Sequence, residues 1–330
     1  MREYGLYIGG QWTDATGGRT FEAIDPANGR AVARVAKGAP EDVDRAVVAA
    51  TDAGAVWRAT PIRERSTALR RMAEIMLRDV DELALLETLD SGGSLYYSGV
   101  TVRDVAARRF EYFAGLADKI EGQQIPVSGN HLTYTTYEPL GVTAHIIPWN
   151  GPLWEASRSI PPALAAGNAV ILKPAQEAVL GAMKLGEIAK EAGLPDGLVN
   201  LVPGSGSEVG ERIIHHPGIH GITFTGSVAT GQHILRGAVA TMKRVVLELG
   251  GNAANIVFED ADLSAAVEGS IWAAFSNAGQ ICVSGPRILV HDSLAEEFTA
   301  RYVERVQSLT VGPGIENHPV GPLVSEQHMR

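Results

Sequence analysis

The chain carries a single thiol, Cys282, in the stretch Phe275-Ser276-Asn277-Ala278-Gly279-Gln280-Ile281-Cys282. This stretch follows a segment of helical spacing and precedes an apolar run. Nucleophiles favour loops at element ends, and a thiolate attacks electrophilic carbon when a base or a positive field holds it deprotonated. The competing reading is a buried structural cysteine. Glu248 lies within Val245-Val246-Leu247-Glu248-Leu249-Gly250-Gly251. A carboxylate at the end of an apolar strand is costly unless neutral, paired or facing a cavity. It reads either as a general base tuned by an apolar surrounding or as a strand-edge glutamate in solvent. Asn150 follows Pro148-Trp149 at the end of an expected strand. Its amide can donate to an oxyanion or cap the helix expected from Pro152. Lys173, before Pro174, ends the next strand and can reach a ribose or phosphate, or stay solvated.

Two glycine-rich turns stand beside these residues. Phe224-Thr225-Gly226-Ser227-Val228-Ala229-Thr230-Gly231 falls between a strand and a helix. Amides at a helix start favour a phosphate, and Ser227 and Thr230 are placed to cap. The dinucleotide fingerprint, set on Gly226 and Gly231, needs a glycine where Val228 stands, so it fails. A phosphate site and a plain tight turn both remain open. Gly204-Ser205-Gly206-Ser207-Glu208-Val209-Gly210 carries the same two readings. His215, His216 and His220 lack a supporting carboxylate or cysteine pattern, so no metal site is expected.

The elements that position these groups follow from periodicity. Short strands are expected at Leu6-Tyr7-Ile8 and Phe21-Glu22-Ala23-Ile24. Helices follow over Glu41 to Trp57, with Val43, Ala46, Val47, Ala50 and Ala53 on one face, over Arg65 to Asp90, and over Val102 to Ala117. His131 to Glu138, rich in Thr and Tyr, predicts a half-exposed strand. From Val142 apolar strands alternate with helices: strands at 142–147, 169–172, 199–202, 222–224 and 245–249, helices at 152–166, 179–192, 208–214 and 229–241. Near-continuous apolar strands with helical crossovers predict an α/β fold with a doubly wound parallel sheet. A second unit follows, with strands at 254–258 and 287–290 and helices at 262–278 and 294–306. Its two strand–helix pairs fall short of a self-sufficient core, so the chain is expected to end inside a domain.

Of the 330 residues, 45 % are hydrophobic and 20 % charged, and 28 basic residues face 38 acidic ones for a net charge of −10. A diffuse acidic surface argues against nucleic acid or anionic membrane as partner. One cysteine excludes an intrachain disulfide and fits a reducing, cytoplasmic setting. No leader-like start and no apolar run of membrane-spanning length is present.

Taken in order, Pro148-Trp149-Asn150, Lys173-Pro174-Ala175, Phe224-Thr225-Gly226-Ser227, Glu248-Leu249-Gly250-Gly251-Asn252 and Asn277-Ala278-Gly279-Gln280-Ile281-Cys282 resemble the NAD(P)-dependent aldehyde dehydrogenase superfamily. The resemblance runs from near residue 5 to residue 330. It implies a cofactor-binding domain over 1–126 and 142–249, a bridging oligomerisation hairpin over 127–141, and the start of an α/β catalytic domain over 250–330. It implies that Cys282 adds to an aldehyde, that Asn150 and the Cys282 amide hold the oxyanion, that hydride leaves to NAD or NADP, and that Glu248 activates the water that releases the acid. Ile146, Pro148, Trp149, Lys173, Gln176, Gly206, Gly210, Thr225, Gly226, Ser227, Thr230, Leu249 and Gly250 would contact the cofactor. Gly151, Trp154, Glu155, Arg158, Ile281 and Val283 would line the substrate pocket. The partners implied are an aldehyde substrate and a second copy of the chain, as a homodimer or homotetramer.

Three departures stand out. Gln176 replaces a frequent glutamate and removes a charge that repels a 2′-phosphate, which admits NADP beside NAD. Gly151 stands where a large side chain is common and opens the tunnel toward a bulky or aromatic aldehyde. The family's downstream Glu-x-Phe-Gly-Pro segment is not in these residues. Alternative functions are an inactive nucleotide-binding fragment and a CoA-acylating dehydrogenase, against which Glu248 favours water. A cysteine hydrolase fits less well, since no histidine lies near Cys282 in sequence.

Overall fold

The computed structural model describes residues 2–330. Its centre is a seven-stranded sheet in the order Arg244–Leu249, Gly221–Gly226, Val142–Ile146, Ala169–Lys173, Val199–Leu201, Leu6–Ile8 and Gln11–Thr13. The first five strands are parallel, and the last two join antiparallel. Chain order reverses beside Val142–Ile146: the next two strands lie on one side of it and the following two on the other. In such sheets ligands bind outside the carboxyl ends, at the reversal. Asn150, Lys173, Thr225 and Glu248 all belong to that edge. Ala169–Lys173 is buried along its whole length, as a strand covered on both faces must be. The edge strand Arg244–Leu249 instead alternates between exposed and half-buried residues.

Helix Pro40–Ala59 buries Val43, Ala46, Val47, Ala50 and Ala53 as its spacing predicts. Trp57 at its end donates Nε1–H to the Leu164 carbonyl at 2.8 Å, tying it to helix Pro152–Ala165. A smaller sheet pairs Arg2–Tyr4 and Thr20–Asp25 with Arg30–Ala36. The region after Gly250 forms a parallel pair, Ala254–Val257 with Arg287–Val290, under helices Leu263–Phe275 and Asp292–Gln307. Its buried apolar core is Val257, Val267 and Phe298. Among the described residues no helix is long and apolar enough to cross a membrane.

Several elements differ from the sequence expectation. The single helix expected over Arg65 to Asp90 is two, Ile62–Arg78 and Val80–Ser91, because the chain leaves helical geometry at Asp79. The helix expected from Val102 is preceded by Leu95–Val100 and passes through a wide π turn, Thr101–Ala106, before Ala107–Leu116. The helix expected at 208–214 also opens as a π turn, Gly206–Gly210. The strand expected over His131 to Glu138 is two residues, Thr133–Tyr134, paired with Gln124–Ile125. It is fully exposed rather than half-exposed, since Thr and Tyr satisfy strand propensity without a core to pack on. This strand pair begins at Gln124, three residues before the expected hairpin range of 127–141.

Two carboxylates organise the centre. Glu87 and Asp90, three residues apart on Val80–Ser91, share a face and are both buried. Glu87 Oε1 accepts the Leu153 N–H at 2.7 Å in the first turn of Pro152–Ala165. Asp90 Oδ2 accepts the Val179 and Leu180 N–H groups, each at 2.6 Å, where Leu180–Glu191 begins. Helix starts carry unpaired N–H groups and positive partial charge, so one helix supplies caps to two others.

Burial pushes the Glu87 carboxyl up to about 8, against the lowering effect of the Leu153 N–H and with help from Asp90. An unfolded glutamate titrates near 4.5. Between those values the folded chain holds a proton that the unfolded chain has lost. Stability is therefore complete at low pH and declines as pH rises through the folded pKa, by at most about 1.4 kcal/mol per unit. Glu87→Gln keeps an oxygen for Leu153 and abolishes the titration. Urea unfolding at pH 5 and pH 8 should show wild type losing roughly 2 kcal/mol or more relative to the variant. Parallel pH dependences would mean that Glu87 is not neutral in the fold.

Candidate functional site

Cys282, Asn150 and Glu248, distant in sequence, line one cavity of about 450 Å³. Every residue expected in the substrate pocket is there too: Gly151, Trp154, Glu155, Arg158, Ile281 and Val283. Gly151 has φ +155°, a conformation that side-chain-bearing residues rarely adopt, while a Cβ there would only touch Trp154 at 3.4 Å, so the turn rather than the space calls for glycine. Thr225, expected near a cofactor, faces this cavity as well.

The cavity also has a wall that periodicity did not assign. Tyr97, Thr101, Val105 and Arg109 line it at four-residue steps. Four residues overshoot a full α-helical turn by about 40°, whereas in a turn closed i to i+5 they fall short of one. The Ala107 N–H donates to the Val102 carbonyl, and this wide turn offsets the drift and holds the stripe on one face. Glu87, Trp272 and Asn277 complete the missed residues of interest.

The cysteine loop is shaped by backbone strain. Helix Leu263–Phe275 stops before the expected Ala278. Asn277, Ala278 and Gly279 then take φ of +49°, +56° and +76°. Asn and Gly tolerate this region, but alanine pays for its Cβ there. Side chains hold the turn. Asn277 Nδ2 donates to the Asn150 carbonyl at 3.2 Å, Gln280 Nε2 to the Asn277 carbonyl at 3.1 Å, and the Val324 N–H to Gln280 Oε1 at 3.0 Å. Asn150 Nδ2 donates to the Gln280 carbonyl at 2.9 Å. Asn150 is thus bound to the cysteine loop and does not cap Pro152–Ala165. Cys282 is free and exposed, which removes the buried-cysteine reading.

Glu248 does not sit in an apolar surrounding. Its side chain is 57 % exposed and its Oε1 lies 3.0 Å from Arg158 Nη1. The run Val245 to Leu249 reads as a buried strand, yet it forms the sheet edge, where alternation turns Glu248 outward. Arg158 Nε also lies 3.3 Å from Glu155 Oε2. Arg158 Nη2 donates to Thr225 Oγ1, and Thr225 Oγ1 donates to Glu155 Oε2 at 3.0 Å. Glu248 Oε2 has no hydrogen bond to protein among the described residues.

A separate groove of about 500 Å³ gathers Ile146, Lys173, Gly206, Gly210 and Thr230 from the expected cofactor residues, together with Phe224, Ile214, Ile234, Glu211 and His233. Phe224 faces this groove and Thr225 the cavity, as successive residues of a strand must. Lys173 is 6 % exposed, not solvated. Its Nζ donates to the Pro174 carbonyl at 3.2 Å, and burial lowers it to about 8, with Glu177 opposing. Pro148, Trp149, Gln176, Gly226, Ser227, Leu249 and Gly250 line neither space. Trp149 instead packs edge-on against His328 with centroids 4.5 Å apart. Ser227 caps Val228–Ala238 by accepting the Thr230 N–H, and the Gly250 N–H donates to the Gly226 carbonyl at 3.2 Å.

Residues 12–330 match the model of the aldehyde dehydrogenase family. A hydroxyisobutyraldehyde dehydrogenase of Mycolicibacterium austroafricanum is 44 % identical over 324 residues, 98 % of this chain and 64 % of that protein. This chain thus spans about two thirds of that relative's length. The NAD+ complex of an aldehyde dehydrogenase from Bacillus cereus superposes with a TM-score of 0.97 at 38 % identity, covering 99 % of this chain and 67 % of that one. An E. coli NADP-dependent enzyme gives 0.96 at 37 % identity, over 99 % and 68 %.

An exposed thiol at a cavity wall should react without unfolding. Iodoacetamide should add one label per native chain, on Cys282, and none to Cys282→Ser, as mass spectrometry would show. Labelling that requires denaturant would return Cys282 to the buried class.

Proposed function

The chain belongs to the aldehyde dehydrogenase family, and we propose that at its relatives' full length it oxidises an aldehyde to a carboxylic acid with NAD or NADP. The observation that carries this reading is the convergence of Cys282, Asn150 and Glu248 on one cavity, across a strand from a groove holding a buried lysine.

Cys282 Sγ adds to the aldehyde carbon, and the carbonyl oxygen becomes an oxyanion. Asn150 spends one Nδ2–H on Gln280 and keeps the other for that oxygen, alongside the Cys282 backbone N–H. When bound, the dinucleotide supplies the hydride acceptor that turns the adduct into a thioester. Glu248, held through Oε1 by Arg158, has Oε2 free to take a proton from water. The resulting hydroxide attacks the thioester, and acid and thiolate separate. A base so placed favours water over CoA as the acyl acceptor.

The groove fits a dinucleotide. Ile146, Phe224 and Ile234 offer apolar surface to a base. Among the described residues the buried Lys173 ammonium has only one carbonyl acceptor, and it would take ribose or phosphate oxygens. Solved relatives include both an NAD+ complex and an NADP-dependent enzyme, and both cofactors are admitted here. The exposed hairpin, with Leu132, Tyr134 and Tyr137 in solvent, is the element through which the chain would assemble as a homodimer or homotetramer. A lone reduced thiol fits the cytoplasm.

Cys282→Ala should lower kcat by at least about 10³-fold while cofactor affinity stays within a few-fold. Glu248→Gln should keep a burst of NAD(P)H and slow the steady state. A folded Cys282→Ala enzyme with substantial turnover would end the covalent mechanism. Equal losses in burst and steady state would move Glu248 to an earlier step.

Cofactor affinity should also follow Lys173. Bound oxygens favour the ammonium, so binding should be flat below pH 8 and weaken several-fold toward pH 9.5 as the free lysine loses its proton. Dissociation constants from NAD(P)H fluorescence should show this slope in wild type and lose it in Lys173→Met. A slope that persists in the variant would remove Lys173 from the contact.

A further inference from the structure

The cavity wall holds two cations, and they are not equivalent. Arg158 is committed to Glu155, Glu248 and Thr225. Arg109 has no carboxylate in ion-pair contact among the described residues. Its Nη1 donates to the Trp154 carbonyl at 2.8 Å and to Ser157 Oγ at 3.4 Å. Its guanidinium carbon lies 4.8 Å from the centre of the Trp154 ring. Nε and Nη2 make no hydrogen bond to protein among the described residues. The fork is therefore fixed by a carbonyl and an aromatic face, with its other donors left over in a cavity.

Such an arrangement is costly when empty. Burial disfavours the charge of Arg109, Glu155 offsets this at longer range, and Arg158 adds to it. Glu155 is spent on Arg158 and Thr225 and does not bond Arg109. Filling the cavity with an apolar ligand would strip water from the guanidinium and return nothing. A carboxylate would meet a preorganised planar donor pair. The π turn at Thr101–Ala106 makes this possible, since it keeps position 109 on the cavity face with Tyr97.

We propose that the substrate is an aldehyde bearing a carboxylate at the end remote from its carbonyl, and that Arg109 receives that carboxylate while Trp154 and Tyr97 flank the carbons between. This refines the expectation of a bulky or aromatic aldehyde and rests on the aldehyde-oxidising reading. Arg109 becomes a specificity-determining residue, with Cys282 addressing the other end of the same molecule.

The test compares ω-oxocarboxylates of increasing length with n-alkanals of matching length, in wild type, Arg109→Gln and Arg109→Lys. In wild type kcat/KM for the best oxocarboxylate should exceed that of its alkanal by at least about tenfold, mainly through KM. Arg109→Gln should erase that ratio, and Arg109→Lys should restore part of it, as a point charge without the fork. A second readout does not depend on turnover: a dicarboxylate of the same length should slow iodoacetamide labelling of Cys282 in wild type but not in Arg109→Gln. Oxidation of alkanals with no carboxylate preference, or a preference that survives Arg109→Gln, would overturn the proposal and leave the oxidation reading standing. Dicarboxylate protection without oxidation of any aldehyde would do the reverse. An aldehyde phosphate preferred over every oxocarboxylate would replace the carboxylate with a phosphate.

Discussion

The structure hinges on one helix end buried between two others. Glu87 and Asp90 accept N–H groups from the first turns of Pro152–Ala165 and Leu180–Glu191. Those helices follow the two strands whose carboxyl ends carry Asn150 and Lys173. A helix start without partners leaves several buried donors unpaired, each costing on the order of 1–3 kcal/mol. Satisfying them from a third helix fixes three elements together. Gly181 shows how close they come: a Cβ there would stand 2.8 Å from Glu87 Cγ. Because Leu153 lies three residues past Asn150, the bond that caps the helix also sets where the amide points.

From that anchor the two working spaces follow by alternation. Ile146 and Phe224 are register partners on adjacent strands and face the groove. Thr225 and Glu248 are register partners and face the cavity. Successive residues of these strands thus face the groove on one side and the cavity on the other. The Arg158 cluster braces the cavity floor and places the Glu248 carboxylate. Exposure of that carboxylate gives water a path to it.

The cysteine loop adds strain to this frame. Three successive left-handed residues, one of them alanine, persist because Asn277, Gln280 and Asn150 bond across the turn. Strain held by surrounding hydrogen bonds keeps a loop in one geometry. Here it holds the chain's single thiol on the same cavity as the Asn150 amide.

The sequence by itself determined the parallel sheet, the alternation of its strands and helices along the chain, and the chemical cast. Apolar runs at 142–147 and 169–172, alternating with helical segments, read as strands covered on both faces, and Asn150, Lys173, Glu248 and Cys282 stand at element ends by chain position alone. Tertiary structure decided what each of them touches. Burial of Lys173 and exposure of Glu248 depend on which strand is central and which is an edge, and neighbouring residues do not encode that. The break at Asp79 and the π turn at Thr101–Ala106 contain no Gly or Pro to mark them. Arg109 accordingly looked like any helical arginine. Only the offset of that wide turn, and the placement of Trp154 against it from a helix far along the chain, bring its charge into the cavity.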